Sequence, residues 1–279
     1  MSKQLSILNI GGHPKDCILY AGGTVARHVA RGDHVTMLTP YTGLSHHLTA
    51  IDAYRESGTM PDMDGLIEER RQEIVNASAV LGVTDVRFLG YDDSITTIDP
   101  NIVSDIADVI GDIQPDIIIT HFPKEGDGLT NPHAIAGQIV TRAIGLAASV
   151  DPGDQTPPHR TAQVFYFGIG AAKIPRDVWD SQGGFYNDVF IDITDVIDKK
   201  LASLDFLVSQ GYGGAYARKR IETSDGAFGM AGQCAYAEGF IRANSETHYH
   251  LPLTDHAMTV ARSSDHENIS RNSFRIKTD

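Results

Sequence analysis

The sequence predicts an α/β fold, a doubly wound and mostly parallel sheet. Three observations predict it. Short apolar runs alternate with helix-length amphipathic stretches from residue 5 to about residue 148. Those stretches are long enough to carry parallel crossovers. The 279 residues, 41% of them apolar, can build a sizeable core.

The elements follow in order. Residues 5–10 read as a buried strand, and residues 22–30 as an amphipathic helix opened by Ala21-Gly22-Gly23-Thr24. Residues 34–39 (HVTMLT) form a second strand. Residues 41–64 are polar and carry Gly, Pro and His, which predicts a long loop of the lid or binding type. Residues 66–81 form a helix, because Ile67, Ile74 and Leu81 share a face and Gly82 stops it. Residues 86–89 are a short strand, and residues 102–113 a helix between Asp99-Pro100 and Pro115. Residues 116–121 (DIIITH) have the composition of a buried strand, and residues 131–148 resume helix. Asp151-Pro152-Gly153 and Pro157-Pro158 mark an excursion. Residues 164–167 and 189–193 read as strands, and 196–208 as a helix. Beyond Gly211 the pattern weakens. Gly211–Gly214 and Gly226–Gly232 read as flexible connections, and the polar stretch from about 251 as a C-terminal extension of a single domain, residues 1–279.

Composition excludes several functions. The formal net charge of −13 and the lack of a basic stripe argue against nucleic acid as a partner. No apolar run is long enough to cross a membrane, and no signal peptide is visible. Two cysteines, Cys17 and Cys234, exclude a disulfide framework and predict a reducing, cytoplasmic setting.

The chemistry concentrates in Gly11-Gly12-His13-Pro14-Lys15-Asp16-Cys17, on the loop leaving the first strand. Open parallel sheets place ligands at that edge. His133 falls in the first turn of the helix after another parallel strand, so it can meet His13 and Asp16. Two imidazoles and one carboxylate leave zinc positions open for water, a catalytic pattern. Taken singly, each residue has a plainer reading: Asp16 as a helix cap, His13 as a surface group, His133 as a helix-start residue. The expectation rests on the three together.

Strand, then His-Pro-x-Asp, then Gly-Gly-Thr resembles the opening of the LmbE/PIG-L zinc enzymes, whose usual form is His-Pro-Asp-Asp-Glu. Further matches follow in order over residues 5–241: Arg70 with Glu73, Leu81-Gly82-Val83, Phe88 to Asp93, Pro115 to His121, His133 with Gly137, Asp192 to Lys200, and Tyr236 to Phe240. The resemblance implies a Rossmann-like fold, zinc held by His13, Asp16 and His133, and a homo-oligomer. It also implies Asp93 as a group that binds substrate hydroxyls.

The chain departs from that pattern at three positions. Lys15 stands where the family's deacetylases carry their general-base Asp, Cys17 replaces the usual Glu, and Thr130 stands where many have an oxyanion-binding His. An ammonium beside a dication is a poor base and a good anion clamp. The 4-oxalomesaconate hydratases of the same superfamily also depart from the standard motif. The sequence therefore predicts first a zinc hydratase of an anionic, unsaturated oxo-polycarboxylic acid. Lys15 and Arg70, with Arg218 or Arg220, bind carboxylates, Thr130 contacts substrate, and Glu238 transfers the proton unless it is a buried ion-pair partner of an Arg. The alternative is an N-deacetylase of a small sugar-like substrate, with Asp93 on its hydroxyls and Glu125 or Asp127 replacing the missing base. A third reading is a metal-binding homologue without catalysis. His248-Tyr249-His250 reads as a surface strand, His46-His47 as solvated loop residues, His121 as a strand-end cap that could touch substrate, and Cys17 as a packed thiol.

Overall fold

The structure is a computed structural model that describes residues 3–124, 131–150, 156–167 and 186–276. Its sheet has seven strands: β1 (Ser6–Ile10), β2 (His34–Tyr41), β3 (Asp85–Tyr91), β4 (Ile117–His121), β5 (Gln163–Phe167), β6 (Val189–Asp192) and β7 (Ala237–Arg242). Their spatial order is β3-β2-β1-β4-β5-β7-β6. The first five are parallel, and β7 runs antiparallel to both β5 and β6. The order reverses between β1 and β4, which makes the carboxyl edge of those two strands the switch point where such sheets open a crevice.

Alternation along each strand feeds two cores. On one face Ile7 and Met37 pack with α1 (Asp16–Arg31), α3 (Met63–Leu81), α6 (Ile197–Leu204) and α7 (Gly214–Gly232), through Ile18, Ile74, Leu201 and Ile221 among others. On the other face Leu8, Ile10 and Ile118 pack with α4 (Pro100–Ile113) and α5 (Pro132–Ala147), through Ile106 and Ile139. The doubly wound architecture is as the sequence predicts, with helices on both faces.

Five local expectations are corrected. Helix α1 begins at Asp16, so Gly22 and Gly23 lie inside it rather than opening it. A Cβ at Gly23 would sit 2.6 Å from Ile193 Cγ2, so that glycine serves close packing. The predicted long loop contains α2 (Leu48–Ser57), which buries none of its residues. Gly226–Gly232 belongs to α7, where small residues let the helix lie against the chain at Ala235. The last segment carries α8 (Asp255–Arg262) and α9 (Asp265–Arg271) and ends on buried Ile276. His248-Tyr249-His250 is exposed and forms no strand. No helix of the described residues is long and apolar enough to cross a membrane.

Candidate metal centre

Two adjacent strands deliver the site. After β1, the chain turns through Gly11–Lys15 directly into α1, whose first residue is Asp16. Beside it, β4 ends at His121, and α5 starts with Asn131 capping the His133 amide at 2.9 Å. The capped turn fixes His133 over the crevice.

Asp16 is the hub. It is fully buried, and its Oδ2 accepts the His13 amide at 2.7 Å. The same oxygen lies 3.2 Å from His13 Nδ1, 3.1 Å from His121 Nε2 and 3.7 Å from His133 Nε2. Donor atoms of His13, Asp16 and His133 all lie within 4.8 Å of one another. The His13 and His133 ring centroids are 5.3 Å apart, and His121 stacks on His133 at 4.4 Å. The three residues singled out in the sequence thus converge. His121 was read as a strand-end cap that could touch substrate, yet it is a full neighbour of Asp16. Its only sequence signal is its place at the end of a strand beside the switch point.

Charge in this pocket is set by burial and its neighbours. Burial pulls His13 below the ordinary histidine value, and Lys15 and His133 add to that against the opposing pull of Asp16. Burial alone would raise the Asp16 carboxyl. Lys15, His133, His121 and His13 together overcome it and hold the group well below the usual carboxylate range. Asp16 Oδ1 is buried without a hydrogen bond and has the Lys15 ammonium 3.5 Å away. A buried carboxylate with one oxygen open and the other facing the His13 and His133 imidazoles offers the donor set a divalent ion takes.

Further polar groups lie around the cluster. Asp93 is buried, and its Oδ2 has no hydrogen-bond partner and lies 3.7 Å from His13 Nε2. Its Oδ1 accepts from Thr42 and from the Ser45 amide, both at 3.4 Å. Arg70 is buried too, and its guanidinium donates to the Ser209 carbonyl at 3.5 Å. Burial lowers its basicity, against the pull of Glu73, Asp93 and Glu69. The loop after α6 is tied in through Gln210, whose Oε1 accepts the Lys15 amide at 3.0 Å, and through Ser209, which donates to Glu73 at 2.6 and 2.7 Å. His47 is fully buried and caps α2 through Nδ1, which accepts from the Ala50 amide, so it is not the solvated loop residue the sequence suggested.

Some expected residues lie elsewhere. Glu238 is not brought to the cluster. Its carboxylate accepts the Gly23 and Thr24 amides at 2.8 and 2.7 Å and pairs with Lys200 at 2.7 Å. Gly23 is seven residues beyond Asp16 on α1, about 10 Å of helix. Arg218 pairs with Asp205 at 2.6 Å, away from the cluster. Cys17 is buried, donates to the Asn9 carbonyl at 3.4 Å and is pushed up by burial and then by Asp16, so it is a packed thiol. Thr130, Glu125 and Asp127 lie outside the described residues.

Comparison with known proteins finds a family resemblance over the stretch that carries this site. Residues 8–144 match the family model PIG-L, described as GlcNAc-PI de-N-acetylase. A 1D-myo-inositol 2-acetamido-2-deoxy-alpha-D-glucopyranoside deacetylase of Streptomyces griseus is 30% identical over 184 residues, 57% of this chain and 54% of that protein. The chain thus spans about half the length of that relative. The 4-oxalmesaconate hydratase of Pseudomonas putida is 27% identical over 213 residues, 74% of each chain. Among solved structures, GalB, the 4-carboxy-2-hydroxymuconate hydratase of Pseudomonas putida, superposes with a TM-score of 0.68 at 22% identity, covering 89% of this chain and all of the other. That likeness shows a shared fold. Residues 8–144 thus resemble a PIG-L/LmbE-family domain.

Proposed function

We propose that this PIG-L-family chain is a zinc-dependent hydrolase that removes an acyl group from the nitrogen of a small, hydroxyl-bearing substrate. His13, Asp16 and His133 would hold the ion, two nitrogen donors and one oxygen donor. When bound, zinc supplies an activated water and polarises an acyl oxygen. The observation that carries the substrate class is Asp93 Oδ2, a buried and unpartnered acceptor 3.7 Å from His13. Left empty, such an oxygen is costly, and a substrate hydroxyl would satisfy it. Arg70, fixed by the Ser209 carbonyl, would form the other wall. The deacetylases among the relatives support this reading.

A second reading rests on one residue. Lys15 places an ammonium 3.5 Å from Asp16 Oδ1, where a hydrolase of this family would have a carboxylate base. That charge suits an anionic substrate, and it supports hydration of an unsaturated oxo-acid, the activity named for one relative. Glu238, fully engaged by two amides and Lys200, would then stabilise α1 rather than transfer a proton.

The test is a panel assay on metal-loaded protein, with metal content measured alongside. Acetate release from N-acetylglucosaminyl conjugates, abolished in His133→Ala together with bound zinc, is expected. Loss of enone absorbance from an oxo-polycarboxylate, without acetate release, would select the second reading. Bound zinc with neither activity would leave a metal-binding homologue without catalysis. Unchanged zinc content in His13→Ala and His133→Ala would remove the metal assignment altogether.

A further inference from the structure

Helix α2 is held in place by very little packing. None of its ten residues is buried, and its large apolar side chains, Leu48, Ile51 and Tyr54, are between 40% and 51% exposed. A helix that short is marginal in water unless something fixes its start.

Two backbone contacts tie that start to the site. The Leu48 amide donates to the Ser209 carbonyl at 3.4 Å, the same oxygen that takes the Arg70 guanidinium. Just upstream, the Ser45 amide reaches Asp93 Oδ1 at 3.4 Å, and Asp93 Oδ2 lies 3.7 Å from His13 Nε2. Whatever fixes the start of α2 therefore also steadies Arg70 and Asp93.

His47 fixes it. The residue is fully buried, and its Nδ1 accepts the Ala50 amide at 3.3 Å. Helix caps are usually Ser, Thr, Asp or Asn, whose oxygens accept at any pH near neutrality. An imidazole nitrogen accepts only while it is unprotonated. With Nδ1 accepting, the one proton of the neutral ring sits on Nε2, which is buried without a hydrogen bond and lies 3.6 Å from Glu69 Oε2. A second proton has only Nδ1 to take, where it would point at the Ala50 N–H. It would also set a positive charge at the positive end of the α2 dipole. Helix α3 turns Glu69, Arg70 and Glu73 toward the ring, and the loop after α6 presents only the uncharged Ser209. The charged residues of α2 itself, Asp52, Arg55 and Glu56, are exposed. Burial and Arg70 outweigh Glu73 and hold the imidazole below the ordinary histidine value.

We propose that His47 is a proton-operated latch: neutral, it fastens α2 beside the metal centre, and protonated, it releases the helix and slackens Arg70 and Asp93. A histidine depressed in the folded state contributes stability above its unfolded pKa, about 6.5, and loses it as pH falls through the folded value. The latch thus holds at neutrality and opens in mild acid.

Hydrogen exchange read by mass spectrometry tests it, on the full chain at pH 7.5 and pH 5.0, with rates corrected for the intrinsic effect of pH. Peptides covering residues 48–57 should lose protection about tenfold at the lower pH, the worth of a lost cap, while those covering β1 and β4 hold. His47→Asn keeps a cap that does not titrate and should remove the change. His47→Ala should leave α2 poorly protected at both values. The change should be the same with and without added zinc, so it stands apart from the proposed activity. Should a variant fail to fold, the native chain's profile decides alone. Equal protection of α2 at both pH values, a drop that persists in His47→Asn, or a loss shared by β1 and β4 would each overturn the latch.

Discussion

Lys15 and Asp16 share one helix start, and the ammonium of the first lies 3.5 Å from the free oxygen of the second. The pair is oriented from outside by Gln210, which accepts the Lys15 amide. If the cluster is a hydrolase centre short of its base, Lys15→Asp should raise acetate release by about 10²-fold or more, the usual worth of a positioned general base. If it is a hydratase, the same change should weaken binding of the anionic substrate and raise KM, since it replaces an attractive charge by a repulsive one. Steady-state kinetics on both substrate classes separates the outcomes. Asp33, at the turn between α1 and β2, carries a second prediction. Burial would raise its carboxyl, but His28 at 2.7 Å, the Leu5 amide at 3.0 Å and Arg31 at 2.8 Å hold it below the ordinary value. A depressed carboxyl stabilises the fold above its unfolded pKa and loses that contribution as pH falls through the folded one. Asp33→Asn should therefore cost about 1–2 kcal/mol at pH 7 and progressively less toward pH 3, in urea titrations at both values.

At the scale of elements, α1 is held by a buried ionic triad. Lys200 is completely buried and lies 2.5 Å from Asp225 and 2.7 Å from Glu238. Burial and the like charge of Glu238 push the Asp225 carboxyl up against the pull of Lys200. Lys200→Met should cost about 3–5 kcal/mol in chemical denaturation, because it strands two buried carboxylates, one of which, Glu238, holds the Gly23 and Thr24 amides of α1. His13, Asp16 and His133 are untouched, so the metal content of the folded fraction should hold. Helix α5 makes a tighter demand. A Cβ at Gly137 would collide with the His121 carbonyl oxygen. Gly137→Ala should lower stability by about 1–3 kcal/mol and reduce activity by displacing the strand end that carries His121, read as a lower denaturation midpoint together with a lower kcat. Little of this was legible in one dimension. His13, Asp16 and His133 could be read from sequence because parallel strands must end at one edge. The ion-pair reading of Glu238 was open to sequence as well, with an Arg as partner; that the partner is Lys200 was not, because it is set by the packing of α6 against α1. Helix α7 escaped for a related reason: its four glycines and scattered charges show no apolar stripe, and it is packing on β7, β6 and α6 that supports it.

Over the whole molecule, the parallel half and the site it carries follow from the alternation of runs and crossovers, while the antiparallel edge and the closing segment do not. β7 lies between β5 and β6, and the chain returns across it from the far end. The anchor is Tyr236, fully buried just before β7. Its hydroxyl donates to Glu222 at 2.8 Å and accepts the amides of Arg275 and Ile276 at 3.2 and 3.4 Å. One phenol oxygen thus joins α7, β7 and the last described residues, and a polar tail that looked like an extension closes the fold. Tyr236→Phe keeps the ring and its apolar contacts but leaves two amides without their acceptor. Each buried group left so costs about 1–3 kcal/mol, and water can reach these two once the segment lifts. The loss should therefore fall on local opening more than on global stability. Limited proteolysis should cut the segment after α9 markedly faster in Tyr236→Phe, while the global midpoint shifts little. A midpoint drop as large as that of Lys200→Met, with no selective cleavage, would instead make the tail part of one cooperative core.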